Sequence, residues 1–319
     1  MAQRIDAGPQ TVHWGFFDAA LAPVVSIESG ETVTLTTVSG THDTLPDPPL
    51  VVPQALQDIQ ATVSQELPGH ICTGPVAVRG ARPGNVLEVR IRSIELLYEW
   101  GYTRIRPLHG ALPDDFPTPH MIHSVLDRSQ MTATLPWGQK LKLSPFFGVM
   151  AVAPPAAWGK ISTLPPRRNG GNLDNKELVA GSTLYLPIHV SDALFSIGDG
   201  HGVQGDGEVC VTAIETGLVG ELQLIVRHDL KLEWPQAETP SHVITMAFDP
   251  DLDSAVVIAL RQMVDLIASR TGLSRENAYM LSSLVADVRV TQVVNGNKGI
   301  HVMLAKAHLA HASQQASAY

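Results

Sequence analysis

The sequence contains few cysteines, few aromatic residues and no long apolar run. Its 319 residues include 2 cysteines, and aromatic residues make up only 5% of the chain. Cys72 and Cys210 lie far apart and form no CxxC pair, so we expect no disulfide framework and a reducing, cytoplasmic location. No apolar stretch is long enough to span a bilayer, and the N-terminal segment MAQRIDAGPQ is polar. We therefore expect no membrane partner.

The sequence also lacks clusters of positive charge. Its formal net charge is -9, and no block of lysine and arginine occurs. Because binding to nucleic-acid phosphates needs clustered basic residues, we expect no nucleic-acid partner. The hydrophobic content of 44% is enough to build a sizeable core.

Glycine turns followed by β-branched residues recur along the first part of the chain. Glycine permits the positive φ that such turns need, and Val, Ile and Thr suit a pleated, half-buried surface. The spacing favours a mainly β fold with an antiparallel sandwich or barrel-like body. The predicted strand segments are SGETVTLTTV (29–38), RPGNVLEVRI (82–91), VAGSTLYLPI (179–188), GDGEVCVTAI (205–214) and LQLIVRHDLKLEW (222–234).

The pattern changes near residue 249, where helical spacing begins. Asp249 can cap a helix that has Pro250 at its first position and ends at Thr271-Gly272. Ser274 can cap a second helix, and the segments VRVTQVV and IHVML then predict two strands. We therefore expect a β-rich body over residues 1–246 that carries the site, and an α+β section over residues 247–319 packed on it.

The segment GDGHGVQGDGEV, residues 198–209, concentrates groups that can bind a metal or transfer a proton. Residues two apart in an extended chain point the same way, so Asp199 should project with His201 and Asp206 with Glu208. Imidazole beside carboxylate suits zinc, and a nearby carboxylate can act as a general base. A surface hairpin with a hydrogen-bonded Asp and His is the alternative. We expect a glycine-rich turn at the rim of a sheet, with CVTAIE as the strand that follows it.

Four other stretches hold candidate functional residues, each with a structural alternative. The candidates are Asn172 and Asp174 in RRNGGNLDNKEL, His70 and Cys72 in PGHICTGPV, His13 in VHWGFFD and His189 in LPIHVSDALF. Asx turns, a small buried thiol, aromatic packing and a core histidine would each explain them without a function.

These same stretches resemble the acetamidase/formamidase family. The matching pieces run in order along most of the chain, and the combination of GGNLD with GDGHGVQGDGE is specific. The pieces are HWGFFDAALAPVVSIESGETV, GHICTGPVAVRGARPGNVLEV, SPFFGVMAVAPP, PRRNGGNLDNKELVAGSTLYLPI, ALFSIGDGHGVQGDGEV and NAYMLSSLVADVRVTQVVNGNKGIHVML.

The resemblance implies hydrolysis of short aliphatic amides to carboxylate and ammonia by a metal-dependent, cytosolic homo-oligomer, often a dimer. It places the polar cluster of the family on His70, Asn172, Asp174, Asp199, His201, Gln204, Asp206 and Glu208. Departures from the family pattern lie close to these positions: GDGHG stands where GDGHA is usual, and Cys72 and His189 replace other residue types. The resemblance therefore leaves the particular amide open.

The first hypothesis is a metal-dependent amidohydrolase. A divalent ion, zinc before calcium, would be held by His201 and Asp199 with His70 or Asp174. The candidate proton carriers are Glu208 and Asp206. The residues that would orient the substrate or stabilise the oxyanion are Asn172 and Gln204. The candidate substrate contacts are His13, Cys72 and His189.

Two alternatives stay open at this point. A non-catalytic β-sandwich could bind calcium or a small ligand through its oxygen-rich turns. A Cys72 thiol amidase would instead depend on the thiol and need no metal.

Overall fold

The computed structural model describes residues 3–309 and confirms a mainly β chain with a helical part near its C-terminus. The strands are β1 (Gln3–Ile5), β2 (Val12–Trp14), β3 (Phe16–Phe17), β4 (Val25–Ile27), β5 (Thr32–Thr37), β6 (Ile71–Val78), β7 (Val86–Leu96), β8 (Trp100–Ile105), β9 (His120–Asp127), β10 (Thr132–Thr134), β11 (Lys140–Lys142), β12 (Phe146–Ala151), β13 (Ile161–Ser162), β14 (Gly170–Asn172), β15 (Thr183–Pro187), β16 (Phe195–His201), β17 (Glu215–Thr216), β18 (Leu218–Arg227), β19 (Gln236–Glu238), β20 (His242–Asp249), β21 (Ala286–Gln292) and β22 (Lys298–Ala305). The helices are α1 (Gln54–Thr62), α2 (Leu252–Thr271) and α3 (Arg275–Val285), with short 3-10 turns at His42–Thr44, Ala156–Trp158 and Lys306–Leu309.

Two large sheets enclose the main core. A nine-stranded sheet runs in the order β1-β5-β18-β7-β15-β19-β20-β22-β21. An eleven-stranded sheet runs β11-β10-β9-β8-β17-β16-β12-β14 and also holds β2, β4 and β6. Buried aliphatic side chains from both sheets form one cluster, which includes Leu35, Val89 and Leu222 from the first and Val76, Met150 and Ile197 from the second. This is the sandwich-like body expected from the alternating pattern.

The strand β16 divides the second sheet at its centre. One edge of β16 pairs with β12 along nearly its whole length. The other edge pairs with β6 up to Gly198 and with β17 from Gly200 onward. Asp199 therefore lies where β6 and β17 diverge, and the gap between them opens a cleft in the sheet.

The C-terminal helices pack on the outer part of the nine-stranded sheet. Helix α2 buries Ala259, Met263 and Ile267 against β20 and β22. Its cap is Asp251, whose side chain accepts from the Ser254 amide, so the expected cap at Asp249 was two residues too early. The expected stop at Gly272, which adopts the left-handed conformation, and the expected cap at Ser274 are confirmed.

Two strand predictions were wrong. Residues 205–214 form turns and bends, and the strand in that region is β17 at Glu215–Thr216. Gly207 and Glu208 both have positive φ, at 92° and 43°, which bends the chain away from an extended path. The pattern over 222–234 is a strand only as far as Arg227.

The expected boundary between residues 246 and 247 falls inside β20. Strand β20 pairs with β19 of the body and with β22 of the tail, so the two parts share one sheet. Within residues 3–309, no helix is long and apolar enough to cross a membrane.

Candidate functional site

A cavity of about 950 Å³ opens at the divergence of β6 and β17. Asp199 stands at its base, with His70, which immediately precedes β6, on one side and Glu215 of β17 on the other. The long proline-rich connections contribute Arg106 and Pro165 to its walls. The cavity thus draws residues that are distant in sequence to one place.

His201 lies at the centre of the site. Its Nε2 atom is 3.2 Å from Asp199 Oδ2 and 3.3 Å from Glu215 Oε1. Asp174 Oδ1 lies 3.9 Å from the same nitrogen. His201 is fully buried at the end of β16, so the expectation of a rim turn outside the core was wrong. The imidazole is therefore positioned by strand β16 and not by a turn.

Gln204 fixes the orientation of the His201 ring. The Gln204 Nε2 atom donates to the Asp174 backbone carbonyl at 2.8 Å, which leaves Oε1 to accept from His201 Nδ1 at 2.9 Å. Since the amide oxygen can only accept, Nδ1 carries a proton. Nε2 has no hydrogen-bond partner and faces the carboxylates, which is the arrangement of a metal-binding histidine supported by an outer hydrogen bond.

Asp174 and Glu208 complete the ring of carboxylates around His201. Asn295, from the turn between β21 and β22, donates to Asp174 Oδ2. The other oxygen, Asp174 Oδ1, and Glu208 Oε2 are both buried without a partner. Asp174, Asp199 and Glu208 all have positive φ, a conformation that non-glycine residues seldom adopt and that recurs at functional sites.

Gly148 leaves the space in the middle of the cluster open. It stands opposite Asp199, between the pairs Phe147–Gly200 and Val149–Gly198. A Cβ atom at this position would lie 2.6 Å from Asp174 Oδ1, 2.6 Å from Asp199 Oδ2 and 3.0 Å from His201 Cε1. Any side chain larger than hydrogen would therefore enter the space that the donor atoms share.

The cluster buries more carboxyl groups than positively charged groups, and this shifts their pKa values. Burial raises the pKa of both Asp174 and Glu215 to about 7, and burial together with Asp174 raises the pKa of Glu208. Burial alone would also raise the pKa of Asp199, but His70 and His201 hold it below its usual value. Burial opposes the charged form of His201, yet Glu215 and Asp199 raise its pKa. Carboxylates this close cannot all ionise without a compensating positive charge.

The donor set fits a divalent cation. Ligands about 2.0–2.2 Å from a tetrahedral zinc ion lie roughly 3.3–3.6 Å from one another, close to the 3.2 and 3.3 Å found around His201 Nε2. Two overlapping groups have suitable spacing: Asp174 with Asp199 and His201, and His201 with Glu208 and Glu215. The orphaned nitrogen and carboxylate oxygens are the atoms such an ion would satisfy.

The structure brings most of the candidate residues together. The four candidate metal ligands converge, since His70 Nε2 is 3.6 Å from Asp199 Oδ2. Glu208 and Asn172 line the cavity, and Asn172 Oδ1 is a buried acceptor without a donor. Gln204 contacts His201 instead of the cavity. Its position suits a residue that orients His201.

Asp206 does not join the cluster. Its carboxylate pairs with Lys176 and Arg289 at 3.0 Å each, on a more exposed side of the loop. The expectation that it projects with Glu208 was wrong, because the turn at Gly207 breaks the two-residue alternation.

The three candidate substrate contacts also lie outside the cavity wall. His13 is buried and lies 3.0 Å from Ser196 Oγ. Cys72 is fully buried beneath Gly198, and burial raises the pKa of its thiol, which opposes thiolate formation. His189 packs near Trp158, with ring centroids 6.3 Å apart. None of the three is among the residues that line the cavity within the described part of the chain.

Sequence reasoning missed Glu215, Gly148 and Asn295. Glu215 sits in AIETG, in a strand of only two residues, without another ionisable group beside it. Gly148 has no side chain to suggest a role. Asn295 lies in the turn NGNKG, which the sequence indicates only as a hairpin connection.

Comparison with known proteins shows which family this chain matches. A model of the acetamidase/formamidase family matches residues 7–160 and 156–305. A formamidase from Methylophilus methylotrophus is 29% identical over 191 residues, which cover 44% of this chain and 47% of that protein. An acetamidase from Mycolicibacterium smegmatis is 27% identical over 209 residues, or 47% of this chain and 52% of that one. The chain spans about half the length of the curated relatives it matches.

Solved structures match over nearly the whole chain. An acetamidase from Bacillus halodurans aligns with a TM-score of 0.84 at 30% identity, covering 97% of this chain and 99% of that one. A predicted acetamidase/formamidase from Thermoanaerobacter tengcongensis aligns with a TM-score of 0.84 at 26% identity, covering 98% and 99%.

Proposed function

On the premise that the chain belongs to the acetamidase/formamidase family, we propose that it is an amidase that hydrolyses short aliphatic amides to a carboxylate and ammonia with a divalent cation in its site. The observation that carries the proposal is the convergence of four buried carboxylates on the unpartnered Nε2 of His201. Relatives called formamidase and acetamidase support the reaction class.

His201 and Asp199 would hold the cation, with Glu215 and Asp174 as the nearest further oxygen donors. The imidazole favours zinc over calcium, which prefers oxygen ligands alone. A divalent ion held there would polarise the amide carbonyl and make a water molecule more acidic.

Asn172 would position the substrate. Its Oδ1 is buried and lacks a donor, and the residue forms part of the cavity lining. A primary amide has N–H groups that would satisfy this acceptor, and leaving it unpaired would cost about 1–3 kcal/mol. This contact favours primary amides over esters of the same size.

Glu208 would carry the proton. A water molecule attacks the carbonyl carbon, the new C–O bond forms, and Glu208 accepts a proton from that water. Glu208 then returns the proton to the amide nitrogen as the C–N bond breaks, so that ammonia leaves instead of an amide anion. Burial and Asp174 raise the pKa of Glu208, which suits a carboxyl that must give the proton back.

The test combines metal analysis with ammonia release from formamide, acetamide and propionamide. We expect a tightly held zinc ion, and turnover that a chelator abolishes and zinc restores. His201→Gln should lose both metal and activity, the latter by on the order of 100-fold or more, since even outer-sphere partners of a metal ligand are worth 10–100-fold. His228→Gln, which changes an exposed histidine far from the cavity, is the matched control and should behave as wild type.

Circular dichroism would check that the variants remain folded, because His201 is fully buried. Activity that survives both the chelator and His201→Gln would contradict the proposed site. Calcium binding without turnover of any amide would favour the non-catalytic alternative. The expected homodimer and the expected cytoplasmic location stay predictions.

A further inference from the structure

Two arginine side chains follow one another along a wall of the cavity. Tyr102, Arg104 and Arg106 line it, whereas Thr103 and Ile105 do not. Tyr102 and Arg104 follow the two-residue alternation of β8, with a rise of about 7 Å between them, and Arg106 is the first residue after that strand. Tyr102 pairs directly with Glu215 of the carboxylate cluster. Arg104 therefore lies one such step away from the reacting end of the cavity, and Arg106 follows it along the chain.

The positive charge on this wall exceeds the negative charge that faces it. Arg104 pairs with Asp43 at 3.0 Å, and its Nε atom is buried without a hydrogen-bond partner. Asp43 also attracts Arg106 through space, but Arg106 takes part in none of the ion pairs within 4.0 Å that residues 3–309 form. Two guanidinium groups thus share one carboxylate, in a protein whose net charge is -9.

The cavity also has more room than a small neutral amide needs. Its volume of about 950 Å³ would hold roughly thirty water molecules. The arginine wall attracts an anion at a distance from the reacting end. Both effects favour an elongated substrate with its amide at one end and a negative charge at the other.

Resting on the amidase function above, we propose that the substrates of this site are primary amides whose acyl chain ends in a carboxylate, that is, monoamides of dicarboxylic acids. The amide would lie beside Asn172 and the carboxylate would accept from Arg106 and from Arg104. Guanidinium and carboxylate form charge-assisted hydrogen bonds, often in pairs, which gives the contact direction as well as strength.

The test compares matched pairs of amides. Glutaramate and valeramide have the same chain length, as do adipamate and hexanamide, and only the first member of each pair is charged. We expect kcat/KM to be about tenfold or more higher for the charged member at low salt, and the ratio to fall as salt rises. Arg106→Gln should lower that ratio by about tenfold. Arg128→Gln, an exposed arginine in the turn after β9 that does not line the cavity, removes the same charge and should leave the ratio unchanged.

A binding measurement separates this inference from the proposed function. Calorimetry should show tighter binding of glutarate than of valerate, with the difference reduced in Arg106→Gln. Hydrolysis of neutral amides with no preference for the charged ones would overturn the inference and leave the amidase function standing. Selective glutarate binding without hydrolysis of any amide would overturn the amidase function alone. Neither selective binding nor hydrolysis would overturn both.

Discussion

Replacing Gly148 by alanine is the sharpest test of the cation site, because it adds a single carbon to the centre of the cluster. The new Cβ would lie 2.6 Å from Asp174 Oδ1 and from Asp199 Oδ2. To reach even a tight contact of 3.0 Å, each oxygen would have to move by 0.4 Å. Ligand distances in metal sites tolerate only about 0.2 Å. We therefore expect Gly148→Ala to weaken metal binding by about 10–100-fold or more.

The fold should survive this substitution. Overpacking of a buried site costs about 1–3 kcal/mol, which lowers the unfolding midpoint without abolishing the native state. Chelator competition would give the metal affinity, ammonia release the activity, and urea unfolding the stability. Gly8→Ala is the control, since its Cβ would meet only Thr11 Oγ1 at 3.8 Å. A Gly148→Ala variant with the metal affinity and activity of wild type would show that Asp174, Asp199 and His201 do not share one cation.

Two further predictions concern Glu208 and a buried histidine. Glu208→Gln should lower kcat by about 100-fold or more while metal remains bound. Asp206→Asn should change kcat by less than about threefold, because Asp206 only pairs with Lys176 and Arg289 on the outside of the loop. Equal losses of kcat in the two variants would refute the role given to Glu208. Burial lowers the pKa of His13 from 6.5 to about 4, so the unfolded chain binds more protons at this residue between these values, and the contribution of His13 to stability should be fully present above pH 6.5 and fall by up to about 3 kcal/mol as the pH drops to 4. Urea unfolding of the metal-free protein at pH 7 and pH 4.5 would measure this as a difference between variants: on going from pH 7 to pH 4.5, the unfolding free energy of wild type should change less favourably than that of His13→Gln, because the other titrating groups are common to both. Equal changes in the two proteins would contradict the assignment.

Strands could be predicted from the sequence where β-branched residues follow a turn. The predictions failed where glycine overrides that pattern. The segments at 29–38, 82–91 and 179–188 each contain an observed strand. GDGEVCVTAI looks the same, yet Gly207 and Glu208 take left-handed conformations and the loop folds back on β21. The sequence carries no local signal of this, because the pairing of Gly207 with Gln292 is a long-range contact.

In the candidate site, too, local sequence patterns could be predicted and long-range contacts could not. Asp199 and His201 could be paired because both lie in one strand and alternation holds there. Glu208 was a candidate because it was expected to project with Asp206 from an extended strand, and that strand does not form. Glu215 comes from a strand that only the tertiary pairing with Tyr102 and His201 brings to the site. Gly148 matters through the space it leaves empty, and no pattern of residue types reveals that.

The contact of Asn295 with Asp174 has a consequence for synthesis of the protein. Strand β21 reaches the nine-stranded sheet only through β22, which is made after it and lies between β21 and β20. The loop that carries Glu208 is in turn held by backbone hydrogen bonds between Gly207 and β21 with the residue after it. While Lys298–Ala305 is still inside the ribosome, β21 has no β22 to pair with, and the loop that carries Glu208 has no β21 fixed in the sheet to bind to. We therefore expect the contact of Asn295 with Asp174 and the hydrogen bonds of the Glu208 loop to form only after Lys298–Ala305 has emerged.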